Sequence, residues 1–211
     1  MSNVKTSRAL LLIDLQNDFV DGGSLAVAEG LEVVEVANRI IPRFELVLAT
    51  QDWHPKNHRS FASQNPGVEL YSQFDLDGLP QTAWPDHCIE NTWGAQLVDR
   101  LDQQAISHRI YKGTDPSIDS YSGFFDNGRR KSTGLSDLLV RLCVQELYIM
   151  GLATDYCVMH SVLDSIRERF VTSVITDGCR GVGIKPNDIP QAWSRMAQHG
   201  ARLLESQQLE D

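Results

Sequence analysis

The sequence lacks the features that mark several protein classes. Its 211 residues hold only four cysteines, Cys88, Cys143, Cys157 and Cys179, with no C-x-x-C pair among them. Scattered thiols of this kind argue against a disulfide framework and match no zinc-finger spacing. Basic residues are the minority: 19 Lys and Arg against 28 Asp and Glu give a net charge of −9. No basic stripe is visible, which argues against nucleic acid and anionic membrane as partners. Long apolar runs are missing too. The run Ala9 to Ile13 is too short for a membrane span or a secretory segment, and Asp14 ends it. Reduced thiols and the lack of an export signal lead to the expectation of a cytoplasmic location. No repeat, linker or low-complexity tract interrupts the chain. What remains is an ordinary globular composition, 42% apolar and 22% charged, at a length that suits one domain over residues 1–211.

Short runs rich in Leu, Ile and Val alternate with helical patterns. Strands are expected over 9–14, 46–50, 108–112, 146–150, 171–176 and 201–204. Helices are expected over about 30–43, 134–143, 154–169 and 189–199. This alternation implies an α/β fold with a parallel sheet covered by helices on both faces. Ligands of such sheets bind beyond the carboxyl ends of the strands. Asp14, Asp52, Lys112 and the segment Gly151 to Cys157 all lie at or just after strand ends. Polar groups from separate segments therefore converge on one sheet edge. The stretches 53–92 and 113–131 read as irregular, and long loops in compact domains are usually functional or disordered. The first contains His, Asp, Trp and Phe, which is not a disordered composition.

Cys157 follows a glycine turn and falls in the first turn of a helix expected to be capped by Thr154 or Asp155. The helix dipole and unpaired N–H groups there favour thiolate, and those N–H groups suit an oxyanion. A small buried residue at a strand–helix junction fits the same pattern. Asp14, at the end of an apolar strand, suits a general base beside a thiol, or a loop cap. Asp18 reads as an ordinary turn residue. Lys112 reads as a cation that steadies a thiolate, or as a solvated strand-end lysine. Asp52 and His54 sit two apart before Pro55, and His87 lies in the second cluster Trp84 to Cys88. Two histidines and a carboxylate suit Zn²⁺, Fe²⁺ or Mn²⁺, and loop histidines satisfied by hydrogen bonds are the alternative. His58 and Ser60 are placed to assist through water, and Cys88 ranks behind His87 as a ligand. Phe19, Trp84 and Tyr121 lie in nearby loops and could sandwich a flat ring.

The motifs occur in a fixed order: D-x-Q-N-D-F at Asp14, D-W-H-P at Asp52, W-P-x-H-C at Trp84, Y-K-G at Tyr111, Y-S-G-F at Tyr121 and G-x-A-T-D-x-C-V at Gly151. The ordered set, over about residues 9–183, closely resembles the nicotinamidases of the isochorismatase-like hydrolase superfamily. The resemblance implies a six-stranded, mostly parallel sheet in three layers. It implies a catalytic triad of Asp14, Lys112 and Cys157, with an oxyanion hole from the N–H groups of Ala153 and Cys157. It also implies a cis peptide at Leu152–Ala153. One divalent metal, zinc first, would be held by Asp52, His54 and His87, with Ser60 as a possible further ligand. Phe19, Trp84 and Tyr121 fall where the family lines its ring pocket. The implied activity is hydrolysis of nicotinamide to nicotinate and ammonia in NAD salvage, with pyrazinamide-like analogues also admitted. Rival readings are a cysteine amidase for N-carbamoyl or ureido substrates, which generally lacks the metal ligands, and a metal-binding thiol redox sensor. A homo-oligomer is compatible with the sequence.

Overall fold

The computed structural model describes residues 7–209. Strand β1 (Ser7–Ile13) holds five successive residues, Ala9 to Ile13, with no exposed surface. A strand apolar on both faces belongs at the centre of a parallel sheet. It lies between β2 (Val47–Asp52) and β6 (Val144–Leu152). The six-stranded order is β5-β2-β1-β6-β7-β8, with β5 at His108–Lys112, β7 at Val171–Arg180 and β8 at Arg202–Leu204. Every pairing in this sheet is parallel.

Helices flank the sheet. Helix α1 (Gly30–Ile40) packs on β6 and β7, α2 (Leu135–Arg141) on β6, and α3 (Met159–Arg167) on β7 and α4 (Asp188–Gln198). Pro42 follows α1 inside a short 3₁₀ turn, where a ring without an N–H ends the regular helix.

From β1 the chain fills one side of the sheet with β2 and β5, then crosses to β6, β7 and β8. The order reverses between β1 and β6, and such a switch point opens a crevice at the carboxyl ends of the strands. Asp14 follows β1 and Cys157 follows β6, so they straddle it. Gly151 lets them approach. Its φ is +133°, and a Cβ there would lie 2.1 Å from the Ile13 carbonyl oxygen.

Several elements differ from the sequence expectation. Strand β2 runs two residues further, which puts Asp52 in register with Lys112 of β5. Strand β7 extends to Arg180 because its pairing with β6 bulges after Val174. The stretch 53–92 contains a hairpin, β3 (Gln73–Leu76) and β4 (Leu79–Thr82). Its turn residues Asp77 and Gly78 both have positive φ, the requirement of a tight type I′ turn. Among the described residues, no helix is long and apolar enough to cross a membrane.

Candidate active site

The carboxyl ends of four adjacent strands, β5, β2, β1 and β6, deliver Lys112, Asp52, Asp14 and the Cys157 turn to one cluster. Lys112 is its hub and is only 1% exposed. Its Nζ donates to Asp52 Oδ1 at 2.6 Å, to the Ser120 carbonyl at 3.0 Å and to Cys157 Sγ at 3.3 Å. Asp14 Oδ2 lies 2.9 Å away as an ion pair without an aligned hydrogen bond. Burial works against the ammonium, yet Asp14, Asp52 and Cys157 raise Lys112 well above its ordinary value. It is a permanent cation.

Burial raises Asp14 to about 6, against the pull of Lys112 and of the Thr50 hydroxyl. Thr50 Oγ1 donates to Asp14 Oδ1 at 2.6 Å. Asp14 is thus poised to exchange a proton near neutral pH. Burial would also raise Asp52, but Lys112, His54 and His87 hold it well below the usual carboxylate range. The two carboxylates are pushed apart, one toward proton exchange and one toward permanent charge.

The turn carrying Cys157 departs from expectation. Residues Thr154–Val158 form a π-helical turn in which Val158 N–H donates to the Ala153 carbonyl at 3.1 Å. Neither Thr154 nor Asp155 caps it. The Asp155 carboxylate instead accepts the N–H groups of Val182 and Gly183, each at 2.9 Å, from the loop after β7. Burial, at 7% exposure, pushes the Cys157 thiol well up, and Lys112 offsets only part of that. The peptide bond between Leu152 and Ala153 is cis.

Asp52, His54 and His87 are brought together beside this cluster. Asp52 Oδ2 lies 3.7 Å from His54 Nε2 and 3.9 Å from His87 Nε2. Each ring is locked by its other nitrogen: His54 Nδ1 donates to the Gly113 carbonyl and His87 Nδ1 to the Pro85 carbonyl, both at 2.8 Å. Those bonds leave both Nε2 lone pairs facing Asp52, the usual support of a metal-binding histidine. His54 Nε2 is buried and without a hydrogen-bond partner. Burial holds His87 to about 4, so its ring is neutral at pH 7. An orphaned buried nitrogen, a neutral imidazole and a fixed carboxylate fit a divalent cation.

Ser60 is less direct. Its hydroxyl shares a 2.7 Å bond with His58 Nδ1, and that ring, with Asp119, groups around His54. Cys88 is not in these groups; its sulfur points at the Gly94 carbonyl, 3.9 Å away. Asp18 is a loop cap, accepting from the N–H groups of Ser24 and Cys88.

Phe19, Trp84 and Tyr121 line a narrow cavity with Cys157, Ala153, Asp52 and His87. Trp84 Nε1 and Gln81 Nε2 both donate to the Tyr121 hydroxyl, which fixes the wall. Several contributors were not legible in the sequence. Gln16 clamps Asp52 through its backbone, donating to its carbonyl and accepting its N–H at 2.8 Å each. Phe61 packs edge-on against His54 and His87, while Asp119 and Tyr156 join the cavity wall. Gln16 stood inside the first motif; the others gave no local signal.

The profile of the isochorismatase domain matches residues 8–208. The chain is 57% identical to a nicotinamidase of Escherichia coli (strain K12), over 93% of each chain. Among solved structures it resembles a nicotinamidase and pyrazinamidase from Acinetobacter baumanii, with TM-score 0.94, 38% identity and coverage of 97% of this chain and 99% of that one. It also resembles a pyrazinamidase of Pyrococcus horikoshii in complex with zinc, with TM-score 0.77, 33% identity and coverage of 94% and 99%. A fold with its reactive cluster at the β1/β6 switch point, a profile match over nearly its whole length and relatives of this closeness lead to one assignment: the chain belongs to the isochorismatase family and, within it, to the nicotinamidases.

Proposed function

We propose that this chain hydrolyses nicotinamide to nicotinate and ammonia through a thioester on Cys157. One observation carries the mechanism: a single buried ammonium, Lys112, touches the base, the nucleophile and a metal ligand at once. The reactive sulfur also opens onto an aromatic cavity.

The substrate ring lies among Phe19, Trp84 and Tyr121, with its carboxamide toward Cys157. Asp14 takes the thiol proton as sulfur bonds to the amide carbon. Moving the proton from a thiol raised by burial to an acceptor near 6 is uphill, and the Lys112 ammonium beside the new anion lowers that cost. The oxyanion rests on the N–H groups of Ala153 and Cys157, a contribution of about 3 kcal/mol per donor. As the C–N bond breaks, Asp14 returns its proton to the leaving nitrogen and ammonia departs. Asp14 then draws a proton from water, whose oxygen attacks the thioester. The C–S bond breaks, the thiol regains its proton and nicotinate is released. Asp52, His54 and His87 would hold a divalent metal, which when bound would supply a Lewis-acid anchor for the substrate ring. Zinc suits these donors; Ser60 acts on the shell through His58. The reaction belongs to NAD salvage, with a cytoplasmic location, and pyrazinamide-like amides fit the same slot.

The metal-binding trio disfavours the N-carbamoyl reading. A peroxide sensor needs an accessible thiolate, whereas Cys157 is buried and its thiol is pushed up by that burial. The test is mass spectrometry of enzyme quenched during turnover of nicotinamide. A nicotinoyl adduct on Cys157, absent in Cys157→Ala, is expected. Ammonia release by Cys157→Ala at the wild-type rate sinks the proposal.

A further inference from the structure

Most of the cavity beside Cys157 is walled by side chains that the core supports. Phe19, Leu25, Trp84 and His87 are all buried. Tyr156, half-buried like Tyr121 and Val182, differs in that besides the inner cavity it lines two larger ones, about 620 and 330 Å³. The inner cavity measures about 30 Å³. Tyr121 borders the inner cavity and the 330 Å³ space, whereas Tyr156 borders all three. Tyr156 therefore stands where the inner cavity and the two outer spaces meet, as a partition between them.

The backbone of this partition is fixed. Tyr156 N–H donates to the Ala153 carbonyl at 3.1 Å, and the neighbouring Asp155 carboxylate is held by Val182 and Gly183. Edge-on contacts hold the ring to Trp84, with centroids 4.7 Å apart, and to Tyr121 at 5.3 Å. Beyond it, the 620 Å³ cavity offers apolar surface from Met159, Ile184 and Ala192. Its carboxylates are already engaged by backbone N–H groups: Asp155 by Val182 and Gly183, Asp188 by Lys185. A flat apolar ring could lie there without leaving an unpaired acid beside it.

We propose that Tyr156 restricts this enzyme to single-ring amides, and that the 620 Å³ cavity behind it is a latent subsite for the second ring of a fused bicyclic heteroaromatic carboxamide. The proposal rests on the ring-amide reading above. A second fused ring would have to share space with the Tyr156 phenol, and overpacking a well-filled site is unfavourable. Removing the phenol joins the inner and outer spaces without touching the sulfur, its base or the metal-binding trio. Tyr156 is a specificity-determining residue and makes no bond to the reacting atoms.

The test measures ammonia release from nicotinamide, quinoline-3-carboxamide and isoquinoline-4-carboxamide, which carry the extra ring on different edges of the pyridine. The readout is the ratio of bicyclic to monocyclic kcat/KM on one preparation, so the fraction of active protein cancels. A single misplaced methylene already changes specificity by about 10–200-fold, so the wild type should reject both bicyclic amides by more than about 100-fold. Tyr156→Ala should raise the ratio for at least one of them by about 10-fold or more, mainly through a lower KM. Tyr156→Phe keeps the ring and should leave the ratio unchanged. Tyr156→Leu is the second variant should the alanine protein not fold. Ratios in the alanine and leucine variants equal to the wild type overturn the proposal, as does an equal gain in Tyr156→Phe. A wild type inert on nicotinamide overturns the reading beneath it instead.

Discussion

Replacing Thr50 by Val tests Asp14 as the proton acceptor while keeping the shape of the site. The Thr50 hydroxyl donates to Asp14 Oδ1 at 2.6 Å and accepts the Asp14 N–H at 3.2 Å, with both residues fully buried. A bond of that length to a carboxylate is charge-assisted and favours the ionised form. It is one of the pulls that limit the rise of Asp14 to about 6. A hydrogen bond to a charged group contributes about 1.5–3 kcal/mol, and about 1.4 kcal/mol corresponds to one pKa unit. Thr50→Val therefore raises Asp14 by about one to two units. Asp14 must be unprotonated to receive the Cys157 proton, so turnover is lost as pH falls through its pKa. The acid limb of kcat/KM for ammonia release moves to higher pH by the same one to two units, roughly, and activity recovers at alkaline pH. The direction holds wherever the wild-type limb begins. Stability follows with a defined sign. Asp14 is raised from 3.8 to about 6 in the fold, so its contribution is fully present below 3.8 and lost as pH rises through about 6. That loss is about 3 kcal/mol and grows in the variant, whose thermal midpoint at neutral pH should fall. A folded Thr50→Val protein whose acid limb stays in place refutes Asp14 as the base.

Lys112→Met leaves Asp14 and Asp52 facing each other without their shared cation. Removing one partner of a buried pair costs about 3–5 kcal/mol, so thermal unfolding should drop sharply and ammonia release should fall by more than about 100-fold; a stable, active variant contradicts the hub. Gly113→Ala acts on the proposed metal site of Asp52, His54 and His87. Gly113 has φ +62°, and a Cβ there would lie 2.3 Å from His54 Cε1. Displacing that ring should weaken retention of added zinc by about 10–100-fold, measured by metal content after dialysis. Unchanged zinc retention would exclude the Gly113–His54 contact as a support of the site.

The strand ends could be read from the sequence because each apolar run stops at a polar residue. Asp14, Asp52 and Lys112 announce themselves that way, and the ordered motifs connect them to Cys157. The triad of Asp14, Lys112 and Cys157 was implied by the resemblance, but the contact of Lys112 with Asp52 was not legible. Lys112 meets Asp52 through the register of β5 against β2, sixty positions apart in the chain. The cap expected at Thr154 or Asp155 failed because Asp155 is drawn to backbone groups beyond β7, a long-range bond that local propensity does not contain. The helix start favours thiolate at Cys157, but burial, a property of the finished fold, pushes the thiol up against it and against the nearby ammonium. The β3–β4 hairpin hid behind weak alternation and a proline, although Asp77-Gly78 marked its turn. Tyr156 gave no signal, since a partition is defined by the empty space on its two sides.

Strand β5 supplies both Lys112 and, one residue on, the Gly113 carbonyl that orients His54. Among the described residues it is also the outermost strand on its side of the sheet, paired with β2 alone. The joint between the Asp14–Lys112–Cys157 cluster and the Asp52, His54 and His87 trio therefore hangs on a border of the sheet. Edge pairing opens in smaller cooperative units than the centre of a sheet. Fraying there would part Lys112 from Asp14 and Asp52, and Gly113 from His54, while β1 and β6 stayed paired. On heating, this chain should fall silent before it comes apart, its helices and core intact around a disconnected cysteine.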